Sequence, residues 1–230
     1  MNALLAIPSY NRPYKLKNTV MYWLKDYQYE WSMYIEPHQY MYYKQTVPFK
    51  NIVKTNDNNY ICGQMVDIVK NAEARGFKYI FKVDDDMCFT KKGIKKHEHY
   101  KVAEEIILEC KWFMDKNLDC GLLTVPKAMT YLYYKKEDTF VEINKPVYSN
   151  YFIRVDDLKK IIKKEYLIFD DLLVSFAIKK MGKSIFRYMK AYESAKTHNN
   201  VGGLQSYDRE KLSKESFIAL KKDYPLLEGV

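Results

Sequence analysis

Asp84, Asp85 and Asp86 stand in succession at the end of Phe77-Lys78-Tyr79-Ile80-Phe81-Lys82-Val83, a run rich in β-formers, and Met87 follows them. Adjacent carboxylates repel and raise one another's pKa unless a cation or several N–H donors offset them. Side chains alternate along a strand, so Asp84 and Asp86 are expected on one side and Asp85 on the other. Two oxygen ligands at a strand end suit a hard divalent ion that keeps its other positions for water and a substrate's phosphate. The plainer reading is a solvated acidic turn, and the structural context decides between the two.

A second carboxylate pair, Asp170-Asp171, precedes the helical pattern Leu172, Leu173, Phe176, Ala177 that ends at Gly182. Asp is a favoured N-cap and is stabilised by the helix dipole. One residue suffices for that, which leaves the other to take a proton from an acceptor hydroxyl. Further on, His198 precedes the flexible Gly202-Gly203 pair. It is read either as a surface histidine or as the residue completing a metal site with Asp86 and a bound diphosphate.

The elements that must position these groups alternate along the chain. Leu4 to Ile7 reads as a buried opening strand stopped by Pro8, with Ser9 to Pro13 as a loop and a helix from about Tyr14 to Leu24. Strands are expected at Ser32 to Glu36, Asn51 to Lys54 and Lys78 to Val83. The helix carrying Ile61, Met65, Ile68, Val69 and Ala72 is capped by Asn58 or Asn59 and closed by Gly76. A helix with Val102, Ile106, Ile107 and Cys110 follows, then strands at Cys120 to Val125 and Val147 to Val155, a helix begun by Asp156, the Asp170 helix, and a last helix over about Asp208 to Lys222. Strand and helix in alternation predict a mainly parallel sheet whose ligands gather at the carboxyl ends of its strands, where Ser9 to Arg12 and the aspartates both lie.

Bulk properties narrow the class. The chain has 230 residues, 47% hydrophobic and 29% charged, which excludes disorder and allows one substantial core. There is no apolar run of membrane-spanning length and no signal-peptide pattern, so a cytoplasmic protein is expected. Cys62, Cys88, Cys110 and Cys120 lack metal or disulfide spacing and read as reduced, buried residues. A formal charge of +9 favours polyanionic partners. Its lysines fall in runs at Lys91-Lys92 with Lys95-Lys96, Lys135-Lys136, Lys159-Lys160 with Lys163-Lys164, and Lys179-Lys180 with Lys183, each of which also reads as a solvated helix face. There are 22 tyrosines, seven of them between Tyr22 and Tyr43, suited to packing or to stacking on bases and sugars. P-loop and dinucleotide glycine motifs are missing.

In this order and spacing the pieces resemble the GT-A class of nucleotide-sugar glycosyltransferases, close to the broad family 2 type. The resemblance spans nearly the whole chain and rests on Ile7-Pro8-Ser9-Tyr10-Asn11-Arg12-Pro13, on Val83-Asp84-Asp85-Asp86 as a D-x-D signature, on Phe169-Asp170-Asp171 with Gly182, and on His198 before Gly202-Gly203. It implies an α/β fold of GT-A type, a mainly parallel central sheet flanked by helices in one domain. Residues 1–90 would bind the nucleotide sugar and 91–230 the acceptor, with a C-terminal lid and helix. It further implies that Pro8, Ser9, Tyr10, Asn11 and Arg12 cradle the nucleotide with Asp84 and Asp85. Asp84, Asp86 and His198 would hold Mn²⁺ or Mg²⁺, and Gly202, Gly203 and the residues to Tyr207 would form a lid, with Arg209 or Lys211 on phosphate. Asp170 or Asp171 would be the base of an inverting enzyme or would position the acceptor in a retaining one. The donor would be a nucleotide-diphosphate sugar, a UDP-sugar foremost.

Charge, aromatic content and size point to double-stranded DNA bearing a hydroxymethylated pyrimidine as one acceptor, as for phage DNA-modifying glycosyltransferases, with the target base flipped out. A cytosolic or membrane-surface glycan and a protein side chain are the rivals. A non-catalytic basic nucleic-acid-binding protein is the reading from a different class. A phosphatase with an Asp-x-Asp nucleophile fits poorly, because Cys88 stands where Thr or Val is wanted. The oligomeric state is not set by any of these features.

Overall fold

A computed structural model describes residues 2–56, 60–133, 138–147, 149–195 and 208–224. In chain order the elements are β1 (Ala3–Pro8), α1 (Val20–Leu24), β2 (Trp31–Ile35), α2 (Tyr40–Tyr43), β3 (Ile52–Lys54), α3 (Ile61–Ala74), β4 (Tyr79–Val83) and β5 (Met87–Thr90). There follow α4 (His99–Lys116), β6 (Cys120–Thr124), α5 (Ala128–Tyr133), β7 (Phe140–Ile143), β8 (Asn150–Arg154), α6 (Val155–Ile161), α7 (Asp170–Lys180), β9 (Ser184–Tyr188), β10 (Tyr192–Ala195) and α8 (Arg209–Asp223).

An eight-stranded sheet has the order β3-β2-β1-β4-β8-β6-β9-β7. The first four strands are mutually parallel, β8 runs antiparallel between β4 and β6, β9 is parallel to β6, and β7 is antiparallel to β9. The run Ala3-Leu4-Leu5-Ala6-Ile7 is apolar throughout because β1 lies between parallel neighbours with both faces covered. On one face Leu5, Ile7, Phe81, Leu123 and Phe152 pack with Trp23 of α1 and Val102 and Ile106 of α4. On the other, Leu4, Ile80, Leu122 and Ile153 pack with Met65 and Ile68 of α3, Leu158 of α6 and Leu173 and Val174 of α7. A separate two-stranded sheet, β5 with β10, lies just past the aspartates.

Several boundaries differ from the expectation. The helix foreseen from Tyr14 is a 3-10 turn, Leu16–Asn18, followed by the five-residue α1. Thr19 breaks it: its hydroxyl bonds back to the Lys15 and Leu16 carbonyls and to that of Asp85, competing with the helical ladder. The strand foreseen at Val147 to Val155 shortens to β8, while β5, β7, β9 and β10 were not foreseen. The Asn58 and Asn59 caps lie outside the described residues. Gly76 and Gly182 do close α3 and α7 at φ of 73° and 72°, the left-handed position that favours glycine after a helix.

Candidate active site

The acidic turn is fixed by the loop after β1. Ser9 donates to Asp85 Oδ2, and its Oγ lies 2.7 Å from Tyr43 OH. Arg12 Nη1 reaches Asp85 at 2.9 Å and Asp86 at 3.4 Å. Thr19 donates to the Asp85 carbonyl at 2.9 Å and Trp23 to that of Met87 at 3.1 Å. Asn11 takes φ of 55°, which Asn tolerates, and its N–H donates to Gln39 Oε1 at 2.7 Å. Burial pushes the Asp85 carboxyl up to about 6 against the pull of Arg12.

Strict strand alternation does not describe these acids. β4 ends at Val83, so they sit in a turn. Asp85 points inward and shares Arg12 with Asp86, whereas Asp84 turns to a different cation, Lys82.

Lys82 is the residue that sequence reasoning missed. It occupies an alternate position of β4 on the α7 side of the sheet, buried, with Nζ 2.6 Å from Asp84 and 3.4 Å from Asp170. Burial works against its charge, but Asp170, Asp84 and Asp171 overcome this and hold the ammonium protonated. Tyr151 of β8 donates to Asp170 Oδ2 at 2.9 Å. The first carboxylate group and the Asp170-Asp171 pair are therefore one site. A lone Lys in an otherwise apolar strand buried on both faces was the available signal.

Packing rather than capping places Asp170. The N-cap residue Phe169 offers no side-chain cap, and Leu173, Val174 and Ile178 of α7 are buried, each contributing about 1.5–3 kcal/mol. α7 approaches β6 so closely that a Cβ on Gly121 would lie 2.8 Å from Ile178 Cγ2. Asp171 is half-buried, and its Oδ1 accepts from the Leu172 N–H at 2.8 Å. Burial together with the Asp170 charge raises its carboxyl to about 7, within the range of a general base at neutral pH.

Three non-glycine residues among those described have positive φ: Asn11, Ser149 and Leu167. All border this site. The Ser149 carbonyl accepts from Lys82 at 3.4 Å, and Leu167, three residues before Asp170 and at φ of 52°, accepts the Cys62 N–H at 2.8 Å. Strain of this kind concentrates at functional sites and is upheld by surrounding structure.

Beside the β1 loop lies a cavity of about 290 Å³ lined by Asn11, Pro13, Tyr14, Gln39, Tyr42 and Tyr43. Glu36, buried at the carboxyl end of β2 with His38 Nδ1 at 3.4 Å, is another residue that sequence reading did not select. Asp84 and Asp86 keep side chains 38% and 24% exposed. Among the described residues no cluster of three metal-ligating side chains forms. His198, Gly202 and Gly203 lie outside those residues. Asp84 and Asp86 carry the oxygen ligands a hard divalent ion takes, but they are paired with Lys82 and Arg12, and an ion there would have to displace or share those cations. The lysine runs are interrupted by acidic partners: Lys91 pairs with Glu105, Lys159 with Glu73, Lys163 with Asp223 and Lys183 with Asp157. No helix among the described residues is long and apolar enough to cross a membrane.

No protein-family model matches the chain, and no curated protein matches it by sequence. Solved structures do. The chain is similar to CMP:2-keto-3-deoxy-manno-octonic acid synthetase complexed with CTP, at 12% identity and TM-score 0.51, covering 96% of this chain and 100% of that one. It is also similar to TarS of S. aureus, at 14% identity and TM-score 0.56, covering 96% of this chain but 40% of that one. Identities this low speak for the fold alone, and that fold is the GT-A-like α/β arrangement with a large, mostly parallel sheet between helical layers.

Proposed function

We propose that the chain is a glycosyltransferase that moves a sugar from a nucleotide-diphosphate donor, a UDP-sugar foremost, to a hydroxyl acceptor. The carrying observation is Lys82, which stands between Asp84, where the diphosphate would arrive, and Asp170, beside the group that would take the acceptor's proton. The similar synthetase is complexed with CTP, which supports a nucleotide as ligand, and ligands of open α/β sheets gather at the carboxyl ends of the strands.

In this reading Pro8, Ser9, Tyr10, Asn11 and Arg12 cradle the nucleotide, and the cavity walled by Tyr14, Tyr42 and Gln39 takes its base. Asp84 and Asp86, with His198, would hold Mn²⁺ or Mg²⁺, which when bound neutralises charge on the leaving diphosphate. Asp171 is the base, because Asp170 is already committed to Lys82 and Tyr151. The acceptor O–H gives its proton to Asp171 and its oxygen bonds to the anomeric carbon. The bond from that carbon to the phosphate oxygen breaks, and the diphosphate leaves with the electron pair. This single displacement inverts the anomeric centre. Gly202 and Gly203 would belong to a lid, and residues 91–230 would supply the acceptor side.

The test is a screen of nucleotide-diphosphate sugars by calorimetry with Mn²⁺, followed by sugar release from the donor that binds. Heat from at least one donor, abolished by EDTA, supports the reading; no heat from any of them ends it. A DNA acceptor rests on the net charge of +9. It requires that binding to duplex DNA weaken steeply with added salt.

A further inference from the structure

A second cavity, of about 600 Å³, lies among the ends of β6, β7 and β9 and the segments that follow β6 and β7. Thr124, Arg187 and Val147 line it, and Thr124 lies at the same carboxyl edge as Asp84. Its rim carries Lys127, Lys145 and Arg187. Glu193 of β10 also lines it and is 3% exposed. The Glu193 N–H donates to the Pro126 carbonyl at 2.8 Å, and its carboxyl accepts from Asn150 Nδ2. Asn150 is itself fixed, since its Oδ1 accepts the Val125 N–H at 2.8 Å. Burial pushes Glu193 up to about 8, against Asn150 and Lys127. At neutral pH it is therefore mainly a neutral hydrogen-bonding group, and the charged side chains of the lining are then Lys127, Lys145 and Arg187 with Glu142. The other acid of the lining, Glu142, accepts from Ser184 Oγ at 2.5 Å on a partly exposed edge strand.

We propose that this cavity is the acceptor subsite and that it takes a saccharide bearing an anionic group, a carboxylate or a phosphate monoester. The anion lies among Lys127, Lys145 and Arg187, and a sugar hydroxyl faces Glu193. The assignment rests on the glycosyl-transfer reading and adds the class of acceptor. Its volume matches sites for small ligands, and charge-assisted contacts from a guanidinium suit both kinds of anion.

The experiment is ligand-observed NMR on the whole chain with a hexose 6-phosphate, a hexuronate, the neutral hexose and a short oligonucleotide containing 5-hydroxymethylcytosine. UDP with Mg²⁺ is measured alongside. The expected result is binding of one or both anionic sugars at least tenfold tighter than the neutral hexose. Arg187→Gln should remove that preference, and so should Lys127→Gln with Lys145→Gln on the exposed rim should the arginine variant fold poorly. UDP affinity should be unchanged in both. The phosphate and uronate arms separate the two sources of the anion. Equal binding of neutral and anionic sugars, indifference to both sets of variants, or binding of the oligonucleotide alone overturns the assignment. Absence of UDP binding to the wild-type chain would strike the donor reading, while the anion preference is read independently.

Discussion

Lys82 Nζ lies 3.4 Å from Asp170 Oδ2, and both side chains are almost wholly withdrawn from water. Truncating one member of a buried pair strands the other's charge, at a cost of about 3–5 kcal/mol. Lys82→Met is therefore expected to lose that much stability in urea unfolding, and Lys82→Met with Asp170→Asn to lose less than the sum of the single changes. Additivity would show that the contact carries no energy.

Asp171→Asn should lower turnover by about 10² to 10⁴, with the protein still folded. The wild-type rate should rise as pH increases through about 7, where the carboxyl loses its proton. Since folding raises this pKa from 3.8, the associated stability is present below that value and is lost as pH climbs through about 7. A flat pH–rate profile between 5 and 8 would remove Asp171 from the role of base.

Glu193 makes a parallel prediction for stability. Its carboxyl shifts from 4.5 to about 8, so the native state holds its proton more firmly than the unfolded chain does. Compared with Glu193→Gln, the wild type should become progressively less stable between those pH values, by an amount on the order of a few kcal/mol. Chemical unfolding at pH 4.5, 6 and 8 reads this difference. A gap that stays constant would mean that folding leaves the Glu193 carboxyl at its ordinary pKa.

Asp84→Asn and Asp86→Asn should each weaken UDP binding measured with Mn²⁺ by at least tenfold, about 1.4 kcal/mol. Neither should weaken it in EDTA. An equal loss with and without the ion would assign both residues to the nucleotide alone.

Gly121→Ala forces a Cβ to within 2.8 Å of both Ile178 Cγ2 and Lys183 Cβ. Overpacking of this kind costs about 1–3 kcal/mol, and the strain falls on the helix that begins with Asp170. Lower thermal stability together with slower turnover is expected. Full activity in a destabilised variant would show that α7 can yield without moving its first turn.

β1, β4 and α3 were readable because the strands are mainly apolar runs and the helix has clear periodicity. β7 and β9 escaped notice because they lie at a half-exposed sheet edge, where Val141, Glu142, Phe186 and Arg187 mix polar with apolar. β5 and β10 are four-residue segments that pair with each other across about a hundred residues of chain, a long-range event with no local signature. Within the site, Asp84 to Asp86 and Asp170-Asp171 declared themselves by clustering. Lys82, Tyr151 and Glu193 did not, since each is a single polar residue whose importance depends on which strand lies next to it.

β8 gives two consecutive residues to two different tasks: Asn150 anchors Glu193, and Tyr151 anchors Asp170. A one-residue slip of that strand would exchange the faces of both and undo them together. Sliding the strand cannot alter one chamber without disturbing its neighbour, so any change in ligand preference has to come from side chains on the rim while this antiparallel spine stays put.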